Sequence, residues 1–262
     1  MSATDPRGNR LWSDADLARN YATVRGGLSP AMHAQWGAAF RAAVPDATIR
    51  RVLDVGCGTA RFTALLADAF GARAIGIDRS PTMLRERLPR PDLTFAAAAV
   101  EAMPFADASI DVALMSLMIH FLPDLPAALR DVARIVRPGG FVLVRTPTRD
   151  LVERHCFLPY FPEALAIDRA RMPAADDLVA AFAAAGFVNT VHDTVVQEFA
   201  PTAAAACVKV RARAFSVLLM ISDEAFARGL PAFERACDTA PPGPVEDAVA
   251  FLVFRRATRG SG

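Results

Sequence analysis

The sequence has little net charge and almost no lysine. Its 29 basic residues (Lys and Arg) nearly balance 28 acidic ones, which leaves a formal net charge of +1 at pH 7. Nucleic-acid binding usually needs a concentrated basic face, so this balance argues against a nucleic-acid partner. Lys209 is the only lysine in the chain. Such a bias toward arginine fits a GC-rich bacterial genome better than an arginine-based binding surface.

Cysteine and long apolar runs are also scarce. The four cysteines stand far apart without the spacing of a metal-ligand pair, so we expect free thiols in a reducing cytoplasm. The N-terminus "MSATDPRGNR" lacks the apolar core of a signal peptide, and no uninterrupted apolar run reaches the roughly 18 residues that span a bilayer. These absences predict a cytoplasmic protein with no metal site and no membrane insertion.

Apolar residues, by contrast, are plentiful. They make up 53% of the 262 residues, which suits one large α/β domain with a sizeable core. The middle of the chain alternates between β-rich runs and helical patterns, which indicates βαβ units and a parallel sheet. The predicted strands cover 51–55, 72–78, 93–97, 110–115 and 140–146, and the predicted helices cover 61–70, 81–88 and 125–136.

The flanking segments add helices before the sheet and two strands after it. Two helical patterns are separated by "GGLSP", a later helix ends at Gly186, and the strand-like runs "FVNTVHDTVVQEF" and "VEDAVAFLVFRRA" follow. The segment between these two strands is helical in pattern, with a break near Ser222. We therefore divide the chain into N-terminal helices (1–49), a core (50–200), a helical cap (201–240) and a final strand with its tail (241–262).

The first predicted strand runs into a glycine turn in "RVLDVGCGTARFTALLADAF". In an open parallel sheet, ligands bind outside the carboxyl ends of the strands, where this turn lies. Gly56 and Gly58 let the backbone approach a ligand and adopt positive φ, and the following helix offers unpaired N–H groups at its start. The pattern alone fits a ligand loop and a purely structural turn equally well.

Asp78 narrows this choice because it ends the second predicted strand, 20 residues beyond Gly58. An acidic side chain at that place can accept hydrogen bonds from the ribose hydroxyls of an adenosine cofactor, although it can also cap the next helix. The run "GCGTAR" has Ala60 and no third glycine for a pyrophosphate, and it has no Walker lysine. These features favour an adenosine-bearing cofactor without a diphosphate.

Four ordered segments resemble the successive motifs of class I S-adenosylmethionine (SAM) dependent methyltransferases: "VLDVGCGTARFT", "AIGIDRSPTML", "VEAMPFADASIDVALM" and "ALRDVARIVRPGGFVLVRTP". The similarity covers about residues 50–147, and the branch it resembles contains the ubiquinone/menaquinone C-methyltransferases and the malonyl-carrier-protein O-methyltransferases. It implies an α/β fold with a Rossmann-like, seven-stranded, mostly parallel sheet. N-terminal lid helices would cover it, and the helical cap would be inserted between strands six and seven.

The resemblance also implies a cofactor and a reaction. SAM would donate a methyl group to an O, C or N atom of a small, largely apolar acceptor and leave S-adenosylhomocysteine. A GC-rich bacterial origin and a variable cap would suit natural-product tailoring. The residues implied for cofactor binding are Tyr21, Arg25, Asp54, Gly56, Cys57, Gly58, Asp78, Arg79, Met83, Ala99, Val100, Glu101, Ser116 and Leu117.

Individual roles follow from the same resemblance. Asp54 would lie near the amino group of SAM, Asp78 would hold the ribose, and Arg79 and Met83 would flank the adenine. Tyr21 is either the lid over the cofactor or an ordinary contact of an amphipathic helix. Other implied positions are a carboxylate contact for Arg25, the adenine edge for Ala99, Val100 and Glu101, and the sulfonium side for Ser116 and Leu117.

Two positions depart from the pattern of the relatives. Many read "GDAExLPF" where this chain reads "AAVEAMPF", so that Ala99 replaces the acidic residue that would bind the adenine amine. Either backbone groups do more of the binding, or SAM binds more weakly. Ala60 replaces a common glycine, which we expect a helix start to tolerate. These departures keep open a non-methylating cyclisation or isomerisation on the same fold; a regulatory module with a vestigial pocket is less consistent with the retained motif residues.

Three side chains are candidates for catalysis. Methyl transfer is an in-line displacement that depends chiefly on positioning, and a base is needed only for a poorly ionised hydroxyl or a carbon acid. His120 in "SLMIHFLPD" follows the fourth strand and is either a base or a structural histidine. The proline-bearing loop "RHCFLPYFPEA" offers His155 and Tyr160 to the acceptor, although apolar packing also explains it. The apolar stripe of the cap, with Phe215, Leu218, Met220 and Phe226, would cover the acceptor or form a homodimer face.

Overall fold

The structure, a computed structural model, describes residues 15–45, 48–87 and 89–258. The helices are α1 (Ala15–Arg25), α2 (Pro30–Ala43), α3 (Arg61–Phe70), α4 (Pro81–Arg85), α5 (Leu125–Ile135), α6 (Pro162–Arg171), α7 (Ala175–Ala184), α8 (Ala203–Arg211), α9 (Ser216–Leu219) and α10 (Asp223–Asp238). The strands are β1 (Arg51–Val55), β2 (Arg73–Asp78), β3 (Thr94–Ala97), β4 (Ile110–Ser116), β5 (Val136–Thr146), β6 (Phe187–Ala200) and β7 (Val245–Arg256). Single turns of 3-10 helix lie at Val100–Ala102, Ile119–Phe121, Val152–Arg154 and Leu158–Tyr160.

One sheet contains all seven of the strands just given, in the order β3-β2-β1-β4-β5-β7-β6. Strands β1 to β5 are parallel, and β7 runs antiparallel to both β5 and β6. The predicted Rossmann-like, seven-stranded, mostly parallel fold is therefore confirmed. The strand order reverses between β1 and β4, and ligands bind in such sheets at the crevice beside this switch point.

The sequence pattern predicts β1 and α3 to the residue, but it misplaces the start of β5. We predict a helix that stops at "RPGG" and a strand from Gly140, whereas β5 already begins at Val136. A register shift against β4 absorbs the extra residues, and Arg137 Nε donates to Asp111 Oδ1 at 2.6 Å. The predicted helix over 81–88 is also shorter: α4 ends at Arg85, and Leu88 lies outside the described residues.

The cap packs around a core of its own. Buried side chains of α8, α9 and α10 join those of the segment 152–172, which lies between β5 and α7. The sequence predicts a loop around Tyr160, but this segment also contains a helix, since α6 begins at Pro162. Of the apolar stripe, Leu218 and Phe226 are buried in this core, and Phe215 lines a cavity. Three of the four side chains of the stripe thus pack within this chain or line its cavity.

Two expected absences concern metals and membranes. In the described ranges, no helix is long and apolar enough to cross a bilayer. Those same residues contain no group of three or more His, Cys, Asp or Glu side chains that could hold a metal ion. All four cysteines are free thiols.

Gly229 sets how closely the cap can dock on the segment before α6. A Cβ atom at this position of α10 would lie 2.3 Å from the carbonyl oxygen of Tyr160 and 2.6 Å from Cδ1 of Phe161. We therefore expect Gly229→Ala to lower the free energy of unfolding by about 1–3 kcal/mol, measured by urea denaturation. Ala227→Ser, on the exposed side of the same helix, is the control. An equal effect of both substitutions would contradict this close packing.

Candidate functional site

A cavity of about 950 Å³ opens at the carboxyl edge of the sheet, between the N-terminal helices and the cap. This is at the upper end of the volumes that ligand sites usually have. Most of the residues predicted for cofactor binding and for catalysis line this one cavity. The predicted residues that line it are Tyr21, Arg25, Asp54, Gly56, Cys57, Gly58, Asp78, Arg79, Met83, Val100, Glu101, Ser116, Leu117, His120 and His155.

Two predicted residues do not line this cavity. Tyr160 packs edge-on against Phe233 of α10, with ring centroids 5.4 Å apart, because its 3-10 turn is part of the cap core. The expectation that Tyr160 faces the acceptor is therefore wrong. At the adenine-edge loop, Ala98 lines the cavity in place of Ala99, and Val100 and Glu101 follow it.

The glycine loop has an unusual backbone. Gly56 and Gly58 adopt φ values of +70° and +54°, which glycine reaches without strain. Ala60, the N-cap of α3, has φ +64°, and Leu117 after β4 has φ +54°. A side chain in this left-handed region costs about 1–2 kcal/mol. The helix start therefore accepts Ala60, as expected, but with backbone strain, and non-glycine residues in this conformation are often found at functional sites.

Asp78 holds the ends of two loops together. Its Oδ2 accepts a hydrogen bond from the Gly58 N–H at 2.9 Å, and its Oδ1 accepts one from the Ser80 N–H at 2.8 Å. Burial raises the pKa of this carboxyl group, and the two backbone N–H groups oppose that effect. The cap of α4 is Ser80, whose hydroxyl accepts from the Met83 N–H, so the alternative of a helix-capping Asp78 is wrong. Each carboxylate oxygen has further acceptor capacity toward the cavity.

Asp54 is buried at the end of β1, where its Oδ2 accepts a hydrogen bond from the Thr63 hydroxyl at 2.6 Å. Burial raises the pKa of Asp54 to about 7, with Thr63 opposing the rise and the charge of Asp78 adding to it. The neighbouring Cys57 is a neutral thiol, because burial raises its pKa as well. The carboxyl group of Asp54 is thus poised to gain or lose its proton near neutral pH.

This raised pKa predicts a pH-dependent stability in the cofactor-free protein. The folded state keeps the Asp54 proton up to about pH 7, whereas the unfolded chain releases it near pH 4. Folding therefore becomes less favourable as pH rises through this window, by up to about 4 kcal/mol. In urea denaturation, the free energy of unfolding minus that of Asp54→Asn should fall between pH 4.5 and pH 7.5. A difference that stays flat would mean that Asp54 is already ionised in the folded protein.

Basic side chains converge on the side of the cavity next to α1. Arg25, Arg61 and Arg145 all line it, and the guanidinium of Arg25 lies 5.6 Å from the ring centroid of Tyr21. Burial alone would raise the pKa of Tyr21, but the three arginines outweigh it and lower the pKa. Burial and, after it, the charge of Arg25 lower the pKa of Arg61 to about 10. Three arginines on one side of the cavity favour the binding of an anionic group of a ligand.

Arg145 extends this basic cluster into the sheet. It is 2% exposed and lies over the rings of Trp36 and Phe62, at 5.0 and 4.8 Å. Its Nη1 donates to the Ser116 hydroxyl at 3.2 Å and its Nη2 donates to Gln197 Oε1 at 2.6 Å. Arg145 therefore connects the end of β4 with β6 beneath the cavity.

His120 and Arg171 form a second polar group on the cap side. Arg171 donates to Asp168 Oδ1 through Nε at 2.6 Å and to the Ser216 hydroxyl through Nη2 at 2.9 Å. Burial, and then the charge of Arg171, hold the pKa of His120 well below its ordinary value. In the described part of the chain, His120 Nδ1 is buried without a hydrogen-bond partner. His120 is therefore a neutral, weakly basic imidazole at pH 7.

His155 has an acidic neighbour instead. Its Nδ1 lies 3.4 Å from Asp247 Oδ2, although the ring N–H is not aligned for a hydrogen bond. Asp247 Oδ1 accepts a hydrogen bond from Gln197 Nε2 at 2.8 Å, and Gln197 Oε1 also accepts from Trp36 Nε1 at 3.0 Å. These contacts place His155, Asp247 and Gln197 in one buried chain of polar groups.

Sequence reasoning missed most of this polar lining. The unpredicted polar residues that line the cavity include Arg61, Arg145, Asp168, Arg171, Gln197, Lys209 and Asp247. Asp247 and Gln197 stand in strand-like runs of alternating residues, where a polar side chain is expected to face solvent. A signal existed only for Arg145, which comes near the carboxyl end of the fifth strand, and for the single lysine.

Comparisons with known proteins agree with this geometry. The sheet order and the helices around it are similar to the fold of the class I methyltransferases. The family model described as "Methyltransferase domain" matches residues 53–144. The match spans β1 to β5, so it covers the glycine loop and Asp78 and leaves out the cap.

Curated relatives match over a similar part of the chain. A demethylmenaquinone methyltransferase of Beutenbergia cavernae is 35% identical over 130 residues, which are 49% of this chain and 54% of that protein. A malonyl-[acyl-carrier protein] O-methyltransferase of Serratia marcescens is 35% identical over 97 residues, 37% of this chain and 38% of that protein. The chain thus spans about half or less of the length of these relatives.

Solved structures extend the likeness to the whole fold. A protein of Anabaena variabilis, described as a methyltransferase of an antibiotic biosynthesis pathway, has a TM-score of 0.66 and 18% identity, covering 84% of this chain and 96% of that one. The [4+2]-cyclase SpnF has a TM-score of 0.60 and 18% identity, covering 95% and 94%. At these identities the likeness shows the fold alone.

Proposed function

We propose that this protein transfers a methyl group from SAM to a small, largely apolar acceptor. One observation carries the proposal: a single cavity holds the glycine loop, Asp78 and the turn after β4 on one side, and an aromatic cap on the other. The family match of residues 53–144 supports SAM as the methyl donor. The apolar nature of the acceptor rests on Phe157, Phe199 and Phe215, which line the cap side.

The cofactor would lie across the carboxyl ends of β1, β2 and β4. Asp78 would accept hydrogen bonds from the ribose hydroxyls, since both of its oxygens are already held in place by backbone N–H groups. Met83, Val100 and Glu101 would border the adenine. Asp54 would lie near the amino group of SAM, whose positive charge would favour the ionised carboxylate.

The side of the cavity next to α1 would receive the carboxylate of SAM. Arg25 and Arg61 supply the charge, and Tyr21 lies beside Arg25 over the cavity. Ser116 and Leu117 would then face the sulfonium. The protein's contribution to the transfer would be to place the acceptor atom in line with the methyl group, and such positioning can supply roughly 7–11 kcal/mol of the barrier.

Labelled SAM tests the proposal directly. The protein is incubated with methyl-labelled SAM and candidate acceptors, and both the labelled product and S-adenosylhomocysteine are measured. Equal amounts of the two are expected. Conversion of an acceptor without S-adenosylhomocysteine would indicate a cyclisation or isomerisation, and failure of SAM to bind in calorimetry would overturn the proposal.

A further inference from the structure

His155 and Asp247 meet at the wall of the cavity, although 92 positions separate them in the sequence. Their side chains are only 14% and 6% exposed. Asp247 comes from β7, and His155 follows the 3-10 turn after β5, so the antiparallel pairing of these strands brings the two residues together. The 3.4 Å separation is long for a hydrogen bond, as catalytic contacts often are before a substrate binds.

A hydrogen bond to its other oxygen, Oδ1, holds the Asp247 carboxylate in place. Gln197 donates to its Oδ1, and Gln197 is in turn held by hydrogen bonds from Arg145 and Trp36. The other oxygen, Oδ2, remains for the imidazole of His155. A carboxylate in this position favours the proton on Nδ1 and leaves the lone pair on Nε2, which is the tautomer that a general base needs.

The other histidines are less suited to this role. In the described ranges His120 Nδ1 has no hydrogen-bond partner, and burial and Arg171 hold the pKa of His120 well below its ordinary value. His33 is paired with Asp68 at the surface, and His192 is exposed on β6. The charged groups that face His155 are Asp247 of β7 and, from α6, Asp168, whose carboxylate bonds Arg171.

An aromatic wall stands on the cap side of the same cavity. Phe215 stacks on Phe199, with centroids 5.1 Å apart and the rings 17° from parallel, and it lies 4.8 Å from Phe157. The ring of Phe157 is also 5.4 Å from the imidazole of His155. Arg25 lies over the ring of Phe215, at 4.8 Å from its centroid. A flat aromatic acceptor would therefore pack against the edges of these rings and bring a ring substituent beside the histidine.

We propose that the acceptor is a phenol, that His155 is the general base that removes its proton, and that Asp247 is the residue that positions His155. This inference rests on the proposed function. In the step, the phenol O–H bond breaks and its proton goes to His155 Nε2. The phenol oxygen forms a bond to the methyl carbon as the carbon–sulfur bond of SAM breaks, which yields an aryl methyl ether and S-adenosylhomocysteine. A phenol, with an ordinary pKa near 10, is within reach of an imidazole base, whereas an aliphatic alcohol is a far weaker acid.

The first test needs no turnover. Histidine labelled with 15N is observed in protein saturated with S-adenosylhomocysteine, and the His155 signals are assigned by their loss in His155→Gln. We expect the proton on Nδ1 in the unsubstituted protein and on Nε2 in Asp247→Asn, since the new amide would donate to Nδ1. His192→Gln is the control and should leave the signals of His155 unchanged. The same tautomer with and without the Asp247 carboxylate would overturn the positioning role.

The second test uses acceptors that differ only in one group: 2-naphthol, 2-naphthylamine and 2-naphthylmethanol, each with labelled SAM. We expect the methyl ether of naphthol to be the main product, and His155→Ala and Asp247→Asn to lower its rate at pH 7 by about 100-fold or more. The deficit of His155→Ala should shrink at high pH, where naphthol ionises without a base, and a purely structural role would not give this recovery.

Each remaining result has a distinct meaning. Label only in the amine, or no ether from naphthol while calorimetry shows bound SAM, would overturn the phenol proposal and leave the proposed function standing. Loss of SAM binding itself would overturn the proposed function.

Discussion

Asp78→Ala should weaken SAM binding about tenfold or more, measured by calorimetry. The carboxylate is the one acidic group at the end of β2 that lines the cavity, and hydrogen bonds to a charged group are worth about 1.5–3 kcal/mol each. The substitution also frees the Gly58 and Ser80 N–H groups, which the two carboxylate oxygens now hold. The loop after β1 would therefore lose a hydrogen bond that fixes its backbone, and SAM would lose its own hydrogen bonds to the carboxylate.

Asp68→Ala separates this effect from a general loss of negative charge. Asp68 is an exposed aspartate of α3 that pairs with His33 and Arg90 at the surface. Its removal should leave SAM affinity within about twofold, because exposed ion pairs contribute little and lie outside the cavity. Unchanged affinity in Asp78→Ala, with Asp68→Ala as the reference, would overturn the placement of the cofactor.

Local sequence signals were sufficient for the parallel half of the fold. The alternation of β-rich and helical runs predicts β1 and α3 to the residue, and Ser80 and Pro81 mark the start of α4. The residues predicted for cofactor binding line one cavity for the same reason, since they come from short motifs directly after β1, β2 and β4. Motifs of this kind are compact because neighbouring parallel strands end at one edge of the sheet.

The polar chain of Arg145, Gln197 and Asp247 was not predictable, because no local pattern connects its members. Arg145 and Gln197 are 52 positions apart, and Gln197 and Asp247 are 50 apart. Only the antiparallel pairing of β7 with both β5 and β6 brings them together. The prediction for Tyr160 was wrong for a related reason. The position of Tyr160 in the sequence suggests a contact with the acceptor, but α10 approaches closely at Gly229 and Tyr160 packs against Phe233 in the cap core.

Two of the four described non-glycine residues with positive φ lie at the carboxyl edge of the sheet, whereas Ala108, before β4, and Arg213, after α8, do not line the cavity. Ala60 and Leu117 both adopt positive φ without being glycine, and they stand at the ends of the loops that follow β1 and β4. Two such residues together cost about 2–4 kcal/mol, so the surrounding packing must hold them in place. This strain is consistent with loops shaped for a ligand rather than for stability.

Gly56→Ala should have the largest effect on the cofactor loop. At φ +70° an alanine costs about 1–2 kcal/mol, and its Cβ would lie 2.9 Å from Cβ of Met118, which is too close for any rotamer to relieve. Met118 lines the cavity, so the residue that yields would move into the space of the ligand. We expect a loss of about 2–4 kcal/mol, divided between stability and SAM affinity, with binding weakened about tenfold.

Gly71→Ala is the matched control, because it shares the backbone conformation without the contact. Gly71 has φ +58° at the C-cap of α3, and a Cβ there would meet nothing within 4 Å. It should lower the free energy of unfolding by about 1–2 kcal/mol and leave SAM affinity unchanged, since only the conformational cost applies. If the two alanine variants bind SAM equally well, the turn after β1 does not carry the cofactor. If only Gly56→Ala loses affinity, the loss arises from the approach of this loop to Met118 and to the ligand, and not from the conformation alone.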